Sequence, residues 1–446
     1  MLRPGAAPDY CVGRMTPASL VGEAVYNYAP RAVPSVARGK GPCTQAVVRK
    51  QMRIDRLTLR SFRNYRDTTV TFPAAGAYIT GANGSGKTNL LEAIYFLANQ
   101  HSFRTTNREE LQGWGASQCV VDAVVTAPEM QRQSELAIAL LPRGRRLVVN
   151  GKETKDIQKF ATYFAAVAFH PGTLNVIKGG PAGRRVLIDR GIASLQPAFV
   201  QVSQDSQRLL KQRNALLRGS SGSSAALEVW TERFIEVALQ ITRARQEHIT
   251  ILNNTLAELV EGLGADVGSL TLTYRPAVLA HSTPQECAAL LMSEAPEPLL
   301  RERFSAAARR LQRAEAALGQ TLFGPQRDDV AICYRGRESR SYASQGEQRL
   351  SAFLLVAALA LAIQRYHGHR PVVLLDDVVS ELDERNRKVI FDFLQVHAFQ
   401  VFITDVEERL RYRHLEAFTS FQVSQVNGQA ELRRTSVSRR ALCDVC

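Results

Sequence analysis

The sequence of 446 residues holds no apolar run of membrane-spanning length. The longest candidate, Ala352 to Ile363, falls short of the roughly 20 residues a helix needs to cross a bilayer, and it reads as a buried helix. A soluble, cytoplasmic chain without a membrane partner is therefore expected. Cysteine is scarce as well. There are seven, at positions 11, 43, 119, 287, 333, 443 and 446. Their odd number and irregular spacing exclude a disulfide framework and point to a reducing compartment. Cys443 and Cys446 form a C-x-x-C, but a structural zinc needs four ligands and no second pair follows. Acidic residues are short too, 42 against 56 basic ones, for a net charge of +14. That balance favours a polyanionic partner, nucleic acid first and an anionic membrane surface second.

What is present divides along the chain. Residues 1–51 hold six Pro, five Gly and seven basic residues but only Asp9 and Glu23 as acids. No strand or helix period persists there, so the segment reads as a disordered extension or as sequence upstream of a true start at Met52. From Arg53 the pattern is strand, turn, strand, with Ile54, Leu57 and Leu59, then Val70 and Phe72, then Ala77-Tyr78-Ile79. A helix is predicted over Leu90 to Ala98. Strands are predicted over Val120 to Val125 and Leu136 to Leu141, and a hairpin turns at Asn150-Gly151. Phe199 to Arg218 reads as one helix, followed by a flexible Gly219–Ser224. Leu227, Trp230, Phe234, Val237, Ile241, Ala244, His248 and Ile251 then recur at spacings of three and four, a coiled-coil-like seam on which His248 is a packed residue. That helix ends near Gly262 and, at 1.5 Å per residue, spans roughly 50 Å, a lobe and not a long arm. A helix over Leu299 to Leu318 follows.

The last third returns to α/β order. An apolar helix covers Arg349 to Tyr366, a buried strand Val372 to Leu375, a helix Asn386 to Val396 and a strand Phe399 to Thr404. Phe421 to Val426 with Asn427-Gly428 closes on a hairpin. The expectation is an α/β head whose halves, 52–190 and 321–435, are split by a mostly helical lobe at 191–320, with a tail at 436–446.

Three motifs carry chemistry. Gly81-Ala82-Asn83-Gly84-Ser85-Gly86-Lys87-Thr88 fits G-x-x-x-x-G-K-[ST] between a strand and a helix, a phosphate-cradling P-loop. Its glycines let consecutive backbone N–H groups curl around a phosphate, and the following helix points its positive end at the same anion. Lys87 then serves the β/γ-phosphates of ATP, and Thr88 Oγ the Mg²⁺. Val372-Val373-Leu374-Leu375-Asp376-Asp377 supplies the second carboxylate on the metal side, Asp376, with Asp377 placed to orient an attacking water. Ser344-Gln345-Gly346-Glu347-Gln348 opens the apolar helix. By itself it is a capping box.

With a P-loop upstream and an Asp-Asp strand downstream, this last stretch resembles the signature of ABC-type ATPases. Ser380-Glu381-Leu382-Asp383 then stands at their D-loop. Leu59-Arg60-Ser61-Phe62-Arg63-Asn64-Tyr65, His101 to Leu111, Lys178 to Arg190, Leu209 to Leu217, Gly324 to Asp329 and Leu374 to Asp383 follow in an order that resembles the RecF family of SMC-like ATPase heads. The resemblance runs from Met52 to about Leu432.

It implies an ABC-type P-loop ATPase fold and a protein of DNA repair, replication and SOS induction. Such a protein binds ATP and Mg²⁺, pairs into a homodimer on ATP and has a weak, DNA-stimulated ATPase. It acts with RecO and RecR to load recombinase at single-strand gaps and duplex junctions. It further implies that Ser344, Gly346 and Asp383 face the nucleotide held by the other subunit. Arg63, Asn64 and Asn83 become candidates near the nucleotide. Lys178, Arg184, Arg185, Lys211 and Arg213 become candidates for DNA phosphate contact, with little sequence specificity because no base-reading motif is visible. Departures from the family pattern are Gln326 in place of a histidine, the absence of an acidic pair after Pro171, and Asp405 after Thr404. They bear on hydrolysis more than on binding. An SMC- or Rad50-like head of another DNA-processing complex, a P-loop kinase and a transporter ATPase subunit are the alternative classes.

Overall fold

A computed structural model of the chain describes residues 51–126, 133–219, 224–264, 267–280, 282–291, 297–377, 382–406 and 418–435. The N-terminal segment, the C-x-x-C tail, most of the Gly/Ser break and the Ser380-Glu381 half of the expected D-loop lie outside the described residues.

The chain opens with β1 (Arg53–Phe62), β2 (Tyr65–Thr71) and β3 (Gly76–Thr80), then α1 (Lys87–Asn99). It continues through β4 (Cys119–Thr126), β5 (Gln133–Leu140), β6 (Arg145–Val149) and β7 (Lys152–Thr154). Next come α2 (Ile157–Thr162), β8 (Ala166–Phe169), α3 (Leu174–Lys178) and α4 (Pro181–Leu195). The middle of the chain is α5 (Phe199–Arg218), α6 (Ser224–Leu263), β9 (Leu270–Arg275), α7 (Pro284–Leu291) and α8 (Glu297–Leu318). The remainder is β10 (Asp329–Tyr334), β11 (Arg337–Glu338), α9 (Ser339–Tyr342), α10 (Gln345–His367), β12 (Val372–Leu375), α11 (Glu384–His397), β13 (Val401–Asp405), β14 (Thr419–Val426) and β15 (Gln429–Thr435).

Two six-stranded sheets form the head. One is antiparallel, in the order β2-β1-β4-β5-β6-β7, and its β4 alternates buried and half-buried residues along its length. The other runs β15-β14-β3-β13-β12-β8, parallel from β14 to β8, with β15 as an antiparallel edge. Parallel strands need coverage on both faces, and β12 is buried at all four positions. Helix α1 is buried from Leu90 to Ala98, and its side chains share one core with apolar residues of both sheets. A helix apolar on every side has no solvent face to present.

The lobe is built on α6, which is 40 residues long. At 1.5 Å per residue that is about 60 Å, longer than the seam suggested. The buried positions on α6 include Phe234, Ile235, Ala238, Leu239, Ile241, Ala244, His248, Ile249, Leu252, Leu256 and Leu259. This face is broader than a coiled-coil stripe, because α4, α5, α8, α10 and β9 all pack against the one helix. Phe234, Leu300, Phe304 and Phe323 centre a second core there. His248 is a packed residue as expected; a Cβ on Gly191 would sit 2.3 Å from its Nε2.

Neither expected boundary of the lobe is a clean break. Helix α4 runs across position 190, and β9 of the lobe pairs with β10 of the C-terminal half in a three-stranded sheet. Helix α10 has 23 residues and is long and apolar enough to span a bilayer by composition, beyond the run read from the sequence. Here it is a core helix: 78% of its apolar window is buried inside the protein.

Candidate functional site

Strand β3, held between β13 and β14, delivers the chain into Gly81–Gly86, and α1 begins at Lys87. Two glycines here are required by close approach. A Cβ on Gly81 (φ +156°) would lie 2.3 Å from the Val423 carbonyl oxygen, and one on Gly86 (φ +121°) 2.8 Å from Asn64 Nδ2. The loop is braced from outside. Asn64 Nδ2 donates to the Ser85 carbonyl (3.0 Å), Asn89 Nδ2 donates to Asn64 Oδ1 (2.8 Å), and the Tyr65 hydroxyl donates to the Gly86 carbonyl (3.1 Å). Asn64 therefore serves the loop's shape. Ala82, Asn83 and Gly84 are exposed along the rim.

Inside the loop lie two buried polar groups. Lys87 is 7% exposed, and its Nζ donates to the carbonyls of Gly81 (2.7 Å) and Ala82 (3.0 Å) of its own loop. Burial pulls the lysine below its ordinary pKa, against the opposing pull of Asp377, Asp376 and Asp405. The Ser85 hydroxyl is buried and has no hydrogen-bond partner among the described residues. An orphaned hydroxyl and an ammonium resting on two carbonyls are what a phosphate would satisfy.

The carboxylate side of the site meets the loop directly. Thr88 Oγ1 and Thr404 Oγ1 both donate to Asp376 Oδ1 at 2.9 Å, and the Asp377 amide donates to Thr404 Oγ1 at 2.9 Å. Asp376 is 4% exposed; burial raises its pKa above its ordinary value, while the two threonine hydrogen bonds oppose that shift. Thr88, Asp376 and Thr404 thus form one oxygen cluster at the ends of β12 and β13. Asp377 follows at φ +47°. Asp405 accepts from the Tyr78 hydroxyl at 3.1 Å. Thr404, which the sequence does not mark as a site residue, joins Thr88 on the same Asp376 oxygen. The available signal was a threonine ending an apolar strand beside the Asp-Asp strand.

Arg63 is held by an ion pair within the head. Its guanidinium makes a two-pronged ion pair with Glu92 of α1, at 2.9 and 2.8 Å, and Ser102 and Arg104 converge on the same carboxylate. Glu92 is fully buried, and a carboxylate alone in an apolar helix was the signal for it. Arg63 thereby anchors the turn after β1 to the first turns of α1.

Ser344, Gly346 and Asp383 form a second cluster. Ser344 is exposed and caps α10: its Oγ accepts from the Glu347 amide, and the Glu347 carboxylate accepts from the Ser344 amide at 2.8 Å. Asp383 caps α11, accepting from the Asn386 amide at 2.7 Å, and Asn386 Nδ2 bridges the Asp383 carboxylate (3.0 Å) to the Gly346 carbonyl (3.3 Å). These hydrogen bonds share no partner with those of the Gly81–Thr88 loop.

Two of the five residues expected on DNA are corrected. Arg213 is 2% exposed and pairs with Glu315 at 3.1 and 2.6 Å, with Thr321 and Thr231 as further acceptors and the Phe323 ring 4.8 Å beneath. Arg184 is 7% exposed and pairs with Asp329 at 2.7 and 3.0 Å. Both guanidiniums are consumed by the fold. Arg185 is half-buried and donates to the Asp328 carbonyl at 2.7 Å. Lys178 and Lys211 are exposed. The Gly324–Asp329 stretch is itself a joint between lobe and head. Asp328 accepts from Arg245 (2.9 Å), from the Tyr274 hydroxyl and from the Ala277 amide (2.8 Å), while Asp329 holds Arg184.

Residues 53–428 match the RecF/RecN/SMC N-terminal domain family. The DNA replication and repair protein RecF of Halalkalibacterium halodurans is 34% identical over 84% of this chain and 98% of its own length. That of Geobacter sulfurreducens is 33% identical over the same shares. Among solved structures, the recombination mediator protein RecF with ATP, of the RecFOR pathway, superposes with a TM-score of 0.75 at 26% identity. It covers 87% of this chain and 98% of that one. Sequence order, fold and relatives agree, and the chain belongs to the RecF family of SMC-type ATPase heads, whose named members are DNA replication and repair proteins.

Proposed function

We propose that this protein is an ATP-driven DNA clamp of replication and repair, in which two copies close on each other around nucleotide. The residues of the loop fit a magnesium nucleotide. The Gly81–Gly86 amides, the unpartnered Ser85 hydroxyl and Lys87 would take the phosphates, and Thr88 with Asp376 would hold Mg²⁺. Bound ATP supplies a phosphoanhydride whose hydrolysis resets the clamp. Asp377, at the end of β12, is placed to orient water, and the Thr404 bridge fixes its backbone beside Asp376.

The observation that carries the reading is the exposed Ser344 end of α10. This helix is otherwise buried along most of its length, yet its N-terminus opens to solvent with Gly346 half-exposed in the first turn. The helix dipole and the first-turn amides of Gln345 and Gly346 would receive an anion, and the hydrogen bonds of this end share no partner with the chain's own phosphate loop. A second copy of the chain brings the missing phosphate. Asp383 positions that end through Asn386.

DNA is the proposed cargo because the chain carries +14 and its relatives are DNA repair proteins. Exposed Lys178 and Lys211 are the phosphate contacts retained from the sequence, with half-buried Arg185 as a third candidate. RecR and RecO are the proposed protein partners, at single-strand gaps and duplex junctions.

Light scattering with and without ATP tests the clamp. Lys87→Ala is expected to lose both nucleotide binding and pairing. Ser344→Arg is expected to bind ATP as the parent does and to remain monomeric. Dimers of Ser344→Arg at parental yield would sink the proposal.

A further inference from the structure

At the far end of α1 from the phosphate loop lies a cavity of about 220 Å³, between the β6 strand, α4 and the turn Gln100–His101. Three arginines line it. Arg145 donates to the Gln100 carbonyl at 3.0 Å. Arg190 reaches the Ser102 carbonyl at 3.5 Å and bonds the Tyr95 hydroxyl. Arg108 stands exposed at the mouth. Among the described residues, none of the three is ion-paired. Elsewhere in the molecule the contrast is plain: buried Arg184, Arg213 and Arg245 each hold a carboxylate at 3.1 Å or less.

We propose that the cavity bounded by Arg108, Arg145 and Arg190 is a second anion site, for a phosphate-type oxyanion of the size of phosphate or pyrophosphate. Arg145 and Arg190 are half-buried without a carboxylate, a cost to the fold that an anion would offset, and Arg108 at the mouth adds a third charge. The helix end offers part of that compensation: Gln100 caps α1, and a helix C-terminus carries roughly half a negative charge. Half a charge against three leaves the site strongly positive. Guanidinium forks match phosphate oxygens two at a time, and a buried fork is less hydrated than an ammonium.

Among the described residues, no carboxylate lines the cavity. His101 Nδ1 donates to the Asn99 carbonyl at 2.7 Å, so its Nε2 carries no proton in the neutral ring. Burial, then the nearby Arg190, hold its pKa at about 3. Burial and Arg108 likewise pull Arg145 below its ordinary value. Burial is the larger cause of both shifts, and a neighbouring guanidinium pushes each the same way. Asn99, Gln100 and Ser194 add polar groups to the lining, and Phe164 and Ile363 lie among its apolar residues. The volume is that of about seven waters and smaller than a drug-sized pocket. It suits a small oxyanion and excludes a whole nucleotide.

Calorimetric titration of inorganic pyrophosphate into the full chain tests this, with sodium sulfate and sodium chloride at matched ionic strength as controls. In the Lys87→Ala background, which cripples the phosphate loop, pyrophosphate is expected still to bind at one site. Adding Arg190→Ala or Arg145→Ala should weaken that binding at least tenfold. Arg108→Ala, at the exposed mouth and without risk to folding, should weaken it severalfold. ATP binding in the single variant Arg190→Ala should match the parent. The proposal falls if pyrophosphate binding vanishes in Lys87→Ala alone, if the arginine variants bind it unchanged, or if chloride reproduces the heat. Displacement of pyrophosphate by a 5′-phosphorylated oligonucleotide, but not by its unphosphorylated twin, would identify the natural source as a DNA end. Failure of both to displace it would identify a free ion, and either result keeps the site.

Discussion

Two buried cations in this molecule look alike in the sequence and differ completely in their surroundings. Arg213, in the lobe, has Glu315 across from it, two threonine hydroxyls beside it and an aromatic face below. Lys87, in the head, has only the carbonyls of the loop it belongs to, and its three carboxylate neighbours act without ion-pair contact among the described residues. A charge that serves the fold is neutralised within the fold. A charge that serves a ligand is left with weak stand-ins that the ligand displaces. The same test separates Arg184 and Arg245 from Arg145 and Arg190. It also explains why a basic residue in a family-like stretch is poor support, by itself, for DNA contact.

The comparison breaks first at Arg213. Removing one partner of a buried pair strands the other charge, at a cost of about 3–5 kcal/mol. Arg213→Ala is expected to lower the unfolding free energy by that much in urea titrations. The double change Arg213→Met with Glu315→Met should recover most of the loss, since an apolar pair of similar volume needs no compensation. If Arg213→Ala unfolds like the parent while DNA binding weakens, the guanidinium is a DNA ligand after all and the contrast with Lys87 is false.

A smaller effect comes from the lobe's buried histidine. His248 is 3% exposed, and burial holds its pKa at about 3, against an ordinary 6.5. The unfolded chain takes up a proton near pH 6.5 that the folded chain refuses. The stability tied to this residue is therefore complete above pH 6.5, falls as pH drops below it, and stops falling near pH 3. The slope is about 1.4 kcal/mol per pH unit. Unfolding of the parent and of His248→Leu, followed between pH 7 and pH 5, should diverge in slope by that amount. Parallel curves would mean that the lobe opens to let the ring protonate. The structure leaves little room for that, since the ring lies against Gly191.

How much of this was visible in the sequence depends on the range of the interactions. Local signals read well. The Asn150-Gly151 and Asn427-Gly428 turns both carry positive φ at both positions, as a two-residue hairpin demands. The Ser344–Glu347 capping box and the helix Phe199–Arg218 were written in spacing alone. The phosphate loop and Asp376 were legible because the loop residues are contiguous and the strand before Asp376 is uniformly apolar. Long-range pairing was not legible. Arg213 and Glu315 are 102 residues apart, and Arg184 and Asp329 are 145 apart, so nothing local marks either arginine as spoken for. Strand β8 is four residues long and went unread, because so short an apolar stretch has no period. The narrow seam on α6 became a broad face because elements from both lobe and head cover it, a fact about packing that a heptad count cannot hold.

The smallest expected effect on stability belongs to Lys87 itself, and it is the sharpest form of the comparison. Its two hydrogen bonds go to carbonyls that water or ligand can also serve, and burial already disfavours its charge. Lys87→Met keeps the stem and removes the ammonium. Without nucleotide, the variant is expected to unfold within about 1 kcal/mol of the parent, as a net amide-type hydrogen bond is worth about that much. With nucleotide the two should part. The parent gains stability with each tenfold rise in ATP above its dissociation constant, by about 1.4 kcal/mol, whereas the variant should gain almost none. A variant destabilised by several kcal/mol without nucleotide would place Lys87 in the same class as Arg213, a strut of the fold. The orphaned Ser85 hydroxyl argues against that outcome: a loop finished by its own contacts would not leave a second buried polar group, two residues from the lysine, without a partner.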